Sequence, residues 1–342
     1  MNRRIRTLVA GAVPIVALGA LLASPAAIVP FAAEGPGPVF DVLGEVEGAP
    51  AIEISGTAED DPSAGRLDMT TVAVSHNLPL SRAIGMWADP DQQIVPIEVV
   101  FPPGLSTEEV ERRNEVMFAD SEANATAAAL RALGRPVQVA VARVLDDGPA
   151  AGVLEEGDVV LAVDGVGVTG PRELQDAVGA HAPGEEVTLR VARDGAEREL
   201  AVRLGEHPED PARGHLGVGI AARPGEGVRV DYNVSGIGGP SAGLIMTLAL
   251  VDKLSPGDLT GGRHIAGTGT IDGIGTVGEI GGITHKIAAA REAGAELFLV
   301  PEANCAEALT ADAGRMPLVR VRDLDGALAA LADPAAAPRC GA

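Results

Sequence analysis

From Thr7 through Ala33 the chain carries no charged residue, and Arg3, Arg4 and Arg6 stand just before that run. An apolar stretch of this length can cross the roughly 30 Å hydrocarbon core of a bilayer, so whatever folds must fold beyond it. Two readings stay open. Kept, the segment is a membrane anchor; cut in the Ala-rich stretch near Pro25 to Ala27 or Phe31 to Ala33, it is an export signal. Basic residues at the extreme N-terminus hold that end in the cytoplasm. The expectation is a single-pass protein of the cell membrane with its bulk extracytoplasmic.

Of 342 residues, 46% are hydrophobic but only 2% aromatic, so the cores must be built from small aliphatic side chains. A formal net charge of −22 repels phosphate backbones, and base-stacking platforms are scarce, which excludes nucleic acid as a partner. Among 26 Lys plus Arg, only Lys253 and Lys286 are lysines. Cys305 and Cys340 allow at most one disulfide. Cys340 lies in a Pro/Ala-rich tail that reads as disordered, and no bridge is expected. No metal-ligand spacing or cofactor motif appears, so neither is expected.

The chain divides into a membrane segment (1–33), a β-rich region with a helical connector (34–130), a third unit (131–206), a fourth (207–334) and a disordered tail (335–342). In the second region, Ala51 to Ser55, Thr70 to Val74 and Ile94 to Val100 read as strands, and Ser106 to Leu133 as a helix. The third unit opens with a strand at Val137 to Val144. Then come the turn Asp147-Gly148-Pro149-Ala150, the run Gly157-Asp158-Val159-Val160-Leu161-Ala162-Val163-Asp164-Gly165, a helix near Pro171 to Val178 and a strand at Glu186 to Arg193. This order resembles the bacterial PDZ domains found on exported proteases. The resemblance implies that an extended peptide adds beside Val137, Val139 and Val141, with its carboxylate held near Gly134, Arg135 and Pro136.

In the fourth unit, Leu216, Val218 and Ile220 alternate, as do Val228, Val230, Tyr232 and Val234, giving two half-buried strands. The sequence Gly236-Ile237-Gly238-Gly239-Pro240-Ser241-Ala242-Gly243 follows, leading into an apolar helix from Leu244 to Leu254. Pro240 suits the first helical position, which sets Ser241 in the first turn beside free backbone N–H groups. A serine there is more often a cap than a nucleophile, so a base is needed. Lys253 lies about 18 Å along the same helix and cannot reach it. Lys286 follows a glycine-rich stretch, on the first turn of a helix capped by Thr284, spanning His285 to Ala293 and closed by Gly294. A helix N-terminus and partial burial both lower a lysine pKa, as a neutral general base requires. Arginine cannot serve in that role, and this arginine-rich chain keeps lysine at the position.

Gly239-Pro240-Ser241-Ala242-Gly243 and Gly281-Gly282-Ile283-Thr284-His285-Lys286 resemble the nucleophile and base motifs of the Lon-type proteolytic domain, a likeness running from Leu216 to Asn304. With the membrane segment and the PDZ-like unit, the chain resembles YlbL-type PDZ and Lon-domain proteins of Gram-positive bacteria. That resemblance implies a mixed α/β fold of ribosomal-protein-S5-like type. It also implies a Ser241–Lys286 dyad with Thr268 bonding the lysine, protein or peptide substrates, and a homo-oligomer. Lon enzymes commonly carry an acidic residue where Gly238 stands, and a glutamate where Thr270 stands. No Walker-type phosphate loop is present, so cleavage is expected to be ATP-independent. Three alternatives stay on the page: a Ser241, His264, Asp272 triad; a small-molecule kinase holding phosphate on Gly236 to Gly243; and a non-catalytic PDZ adaptor with a degenerate peptidase domain.

Overall fold

The computed structural model describes residues 27–341 apart from 47, 57–62, 146, 208–209, 226–227 and 235–236, together with 11–13, 19 and 24. The architecture is mixed α/β, organised on two six-stranded sheets.

The first sheet runs in the order Leu318–Val321, Leu297–Pro301, His264–Gly267, Arg66–Ser75, Phe31–Asp41 and Gln93–Pro96. Its first four strands are parallel, and the last two join antiparallel. Period-two alternation separates its faces. Leu297 and Leu299 pack with Ile245 and Leu248 of the helix Gly243–Leu254, while Phe298 and Val300 pack with Ile283 and Ile287 of the helix Ile283–Ala293. The two helices that carry the sequence motifs therefore lie on opposite faces. They can meet only past the end of the central strand, which stops at Gly267.

This sheet corrects the domain reading. Residues 34–130 are not a separate scaffold, because Phe31–Asp41, Arg66–Ser75 and Gln93–Pro96 are half of the sheet that underlies the motif helices. The long helix Thr107–Ala132, opened by a Ser106/Glu109 capping box, lays Ala125, Ala128 and Ala129 into the same core as Leu244 and Leu248. The boundary at residue 33 also moves. Phe31 already pairs with Pro96, and Ala32 and Ala33 are buried. The remainder of the proposed membrane segment falls largely outside the described residues, and among the described residues no helix is long and apolar enough to cross a membrane.

The second sheet orders Ala196–Arg203, Glu186–Arg193, Val159–Val163, Val137–Val144 and Val218–Pro224, with the short sixth strand Val166–Gly167 paired to Val159–Val163 and the helix Pro171–Gly179 across it. Its core is almost wholly aliphatic: Val139, Val141, Val160, Leu174, Val187, Leu189, as the composition requires. Val218–Pro224, read from sequence as part of the fourth unit, pairs antiparallel with Val144 to Val137 and so belongs here. The peptide-binding-type sheet is thus inserted between the two halves of the other.

The C-terminal tail is ordered, against expectation. The Arg320 amide donates to the Pro338 carbonyl at 2.8 Å, the Cys340 amide donates to Leu318 at 3.0 Å, and Cys340 forms a disulfide with Cys305. The edge strand Leu318–Val321 offers unpaired backbone, and the tail satisfies it.

Candidate active site

Ser241 lies just before the helix Gly243–Leu254, whose N-cap is Ala242, and not within its first turn. Its carbonyl explains the displacement. It accepts from the Gly269 amide at 2.9 Å and from Thr268 Oγ1 at 3.0 Å, so it does not start the helical ladder. Lys286 sits one turn into the helix Ile283–Ala293, which starts two residues earlier than expected. Gly282, at φ +67°, provides its left-handed N-cap in place of Thr284. The Lys286 amide then bonds the Gly282 carbonyl at 3.2 Å.

Across the end of the central strand the side chains converge. Lys286 Nζ lies 2.7 Å from Ser241 Oγ and 3.0 Å from Thr268 Oγ1. Lys286 is 3% exposed, and burial lowers its pKa from 10.5 to about 8. The amine therefore loses its proton near pH 8, far below an ordinary lysine, and its neutral form can accept one from an adjacent hydroxyl. Thr268, itself buried, ties the two motif segments together by accepting from the amine and donating to the Ser241 carbonyl.

The long helix supplies a part that sequence reading missed. The Asn114 carbonyl accepts from the Gly239 amide at 3.0 Å, and Ser121 Oγ donates to the Pro240 carbonyl at 3.1 Å. Both bonds fix the strand-to-helix turn that presents Ser241. They also account for Gly238, where the family resemblance leads one to expect an acid: a Cβ there would come within 2.6 Å of the Asn114 Cβ. Gly243 is equally constrained, with Ser121 Oγ 2.9 Å and Ile271 Cγ2 3.0 Å from where its Cβ would stand. Nothing in the local sequence of the helix marks Asn114 or Ser121. Asn304 acts similarly on the far wall, its amide both accepting from and donating to the Ile280 backbone, at 3.0 and 2.9 Å.

Ser241 and Lys286 open onto a cleft of about 720 Å³ walled by Pro38, Phe40, Met69 and Val72 on the sheet side and by Glu279 and Ile280 opposite. About a third of the lining comes from the N-terminal strands. Thr270 lines it too, and Glu279 is its only acidic residue among those described.

The triad alternative does not assemble. His264 Nε2 meets Asp68 at 2.6 Å at the start of the strand whose other end leads to Thr268, roughly 13 Å away at strand rise. Asp272 accepts from the amides of Ile274 and Thr276 in its own turn. His285 Nδ1 faces the Asp91 carbonyl, and Lys253 reaches the Leu43 carbonyl.

The sequence-derived peptide site is displaced. Val137–Val144 is flanked on both sides, by Val159–Val163 and by Val218–Pro224, and Val139 is fully buried. Gly134, at φ +63°, closes the long helix as its amide donates to the Arg131 carbonyl, and Arg135 donates to the Leu254 carbonyl. Pro136 accepts from the Gly225 amide. The strand edge without a further strand partner is Val218–Pro224 instead, with the long helix Thr107–Ala132 packed against it and Val218 and Ile220 left facing a groove. That groove, of about 610 Å³, runs between the strand and the helix Pro171–Gly179. The glycine-rich turn Gly214-His215-Leu216-Gly217 ahead of an alternating strand was the available signal.

Comparison with known proteins finds two domain matches, whose bounds differ from those of the two sheets. Residues 104–204 match the PDZ domain model, and residues 234–315 match the Lon protease (S16) C-terminal proteolytic domain. A probable periplasmic serine endoprotease, DegP-like, from Ectopseudomonas mendocina is 42% identical over 79 residues, 23% of this chain and 17% of its own length. One from Halomonas elongata is 38% identical over 100 residues, 28% of this chain and 21% of its own. The chain thus spans only a small part of these curated relatives. The PDZ domain of an SdrC-like protein from Listeria monocytogenes aligns at 24% identity over 24% of this chain and 85% of its own, with a TM-score of 0.23. Set beside the geometry of the two clefts, the family matches identify a protein that carries a PDZ domain together with a serine-peptidase domain of the Lon type.

Proposed function

We propose that the chain is an ATP-independent serine endopeptidase working through a Ser241–Lys286 dyad, cleaving exported or membrane-associated proteins whose tails the PDZ groove recognises. The single observation behind this reading is the 2.7 Å approach of a buried lysine, with its pKa lowered to about 8, to a serine hydroxyl at the floor of an open cleft. Ser241 Oγ attacks the scissile carbonyl carbon while its proton passes to the neutral Lys286 Nζ. The oxyanion forms near the Ala242 amide, which has no protein acceptor among the described residues, at the start of a helix whose dipole favours negative charge. The C–N bond breaks as Lys286 returns the proton to the leaving amine. Water then repeats the sequence on the acyl-enzyme, with Lys286 again as base. Thr268, through its contacts to both partners, keeps the amine on the hydroxyl.

The uncharged run from Thr7, with basic residues before it, supports a membrane-held protein with its catalytic part extracytoplasmic. A cleft that takes an extended chain, without an unfolding motor, suits flexible segments and exposed tails. A fluorophosphonate probe tests the chemistry directly: it labels the wild type at Ser241 and fails on Ser241→Ala. Equal labelling of both removes the enzyme reading.

A further inference from the structure

The groove beside Val218–Pro224 has a third wall, and it comes from the peptidase domain. Asp272, Gly273 and Ile274 line it, as do Asn124 and Arg131 of the long helix. These three residues are the tip of the hairpin formed by Thr270–Ile271 and Val277–Gly278. The tip is seated rather than adrift: a Cβ on Gly273 would touch Ala127 Cβ at 3.4 Å, and the Leu324 amide donates to the Gly275 carbonyl. Ile274 at that tip is 48% exposed and lines the groove.

We propose that this groove is a composite site for an extended peptide with a free terminal carboxylate, in which Ile274 forms the upstream subsite and groove occupancy is felt at the dyad. The idea rests on the dyad reading only for its second half. At Val218 and Ile220 the strand edge lines the groove and presents backbone groups without a strand partner that an extended chain satisfies, and alternate side chains fall into the apolar floor made by Leu174, Val178, Leu216 and Val218. Polarity sets the direction. At one end the Arg213 guanidinium lies against Gly179, beside the Gly214–Gly217 turn; at the other Arg131 is paired to Glu173. The lining carries three arginines, Arg131, Arg172 and Arg213, against Asp176 and Asp272, in a chain of net charge −22. The carboxylate belongs at Arg213.

The helix Pro171–Gly179 is about 13 Å long, a distance covered by about four extended residues. A peptide anchored at Arg213 therefore brings about its fifth residue from the end to the Arg131 end of the groove, where the long helix carries Asn124 against the hairpin tip. From Ile274 the hairpin leads back through Thr270 to Gly269 and Thr268, the two residues that hold the Ser241 carbonyl. A ligand that presses on the tip differs in affinity between arrangements of that hairpin, and linkage makes the effect reciprocal.

The test uses the full chain and a random hexapeptide pool with a free carboxylate and a benzophenone on the residue furthest from it. On irradiation, cross-links are expected at residues 272–274, at least fivefold fewer with Ile274→Asp, restored by Ile274→Val, and several-fold fewer with an amidated pool. The pool is also expected to change the rate of fluorophosphonate labelling of Ser241 at least threefold. Cross-links confined to residues 131–224, no cross-links, equal yields from the amidated pool, or an unchanged labelling rate each overturn the proposal. A Ser241 that never labels, with cross-links in place at 272–274, instead removes the dyad reading and leaves the composite groove standing.

Discussion

The catalytic cleft and the peptide groove solve opposite problems within one chain. At the cleft every polar group of the dyad is already bonded to protein: Lys286 to Ser241 and Thr268, and Thr268 to the Ser241 carbonyl. At the groove a strand edge waits for its bonds to be completed by whatever arrives. On the proposed mechanism the first arrangement is preorganised and intolerant, because the transition state must meet fixed partners. The second is permissive, because any extended backbone can satisfy it and side chains only grade the fit. Single substitutions should therefore be severe at the cleft and mild at the groove.

The largest effect is expected from Ser241→Ala and Lys286→Arg, each lowering kcat/KM on an unstructured polypeptide by about 1,000-fold or more, with the double variant no worse than either alone. An arginine variant of near-normal activity would end the comparison. Next comes pH. With its pKa at about 8, Lys286 is protonated below that value and cannot accept the serine proton, so kcat/KM should fall about tenfold per unit, near 100-fold from plateau to pH 6. A flat profile between pH 6 and 9 would show that no such amine controls the rate.

Thr268→Val keeps the shape but removes the hydroxyl that orients the amine, and a loss of roughly 30-fold in kcat is expected with little change in KM. Lys286→Met should stabilise the fold by roughly 1 kcal/mol at pH 7 while abolishing activity. The folded pKa lies below the unfolded one, so between about 8 and 10.5 the unfolded chain holds a proton that the folded chain has lost, and wild-type stability rises with pH across that window. The advantage of the methionine in thermal melts should therefore shrink by pH 10. The smallest effect belongs to the groove: Ile220→Ala should weaken the binding of carboxylate-ended peptides only about threefold, since the backbone carries most of the contact. A hundredfold loss would make the groove as exacting as the cleft.

Much of the cleft was legible from the residues, because the signals are local. Glycines, a proline and a serine before an apolar run specify a strand-to-helix turn, and a rare lysine near a second helix start stands out against arginines. Long-range pairing left no such mark. Nothing in Arg66–Ser75 says that its neighbour is His264–Gly267, and the alternation of Val218 and Ile220 is the same whichever sheet they join. The tail failed for the same reason: Pro and Ala composition reads as disorder until the exposed edge at Leu318–Val321 is known. Gly238 shows the reverse case, a departure from family pattern that becomes intelligible only when Asn114 is seen to occupy the space.

The insertion of one sheet between the halves of the other dictates an order of birth. Asp68 waits through 196 residues of synthesis before His264 emerges to meet it, and everything in between includes the whole recognition module. A ribosome making this chain can complete the first sheet only after the inserted one has emerged, because Arg66–Ser75, already paired with Phe31–Asp41, gains its other neighbour only when His264–Gly267 leaves the exit tunnel.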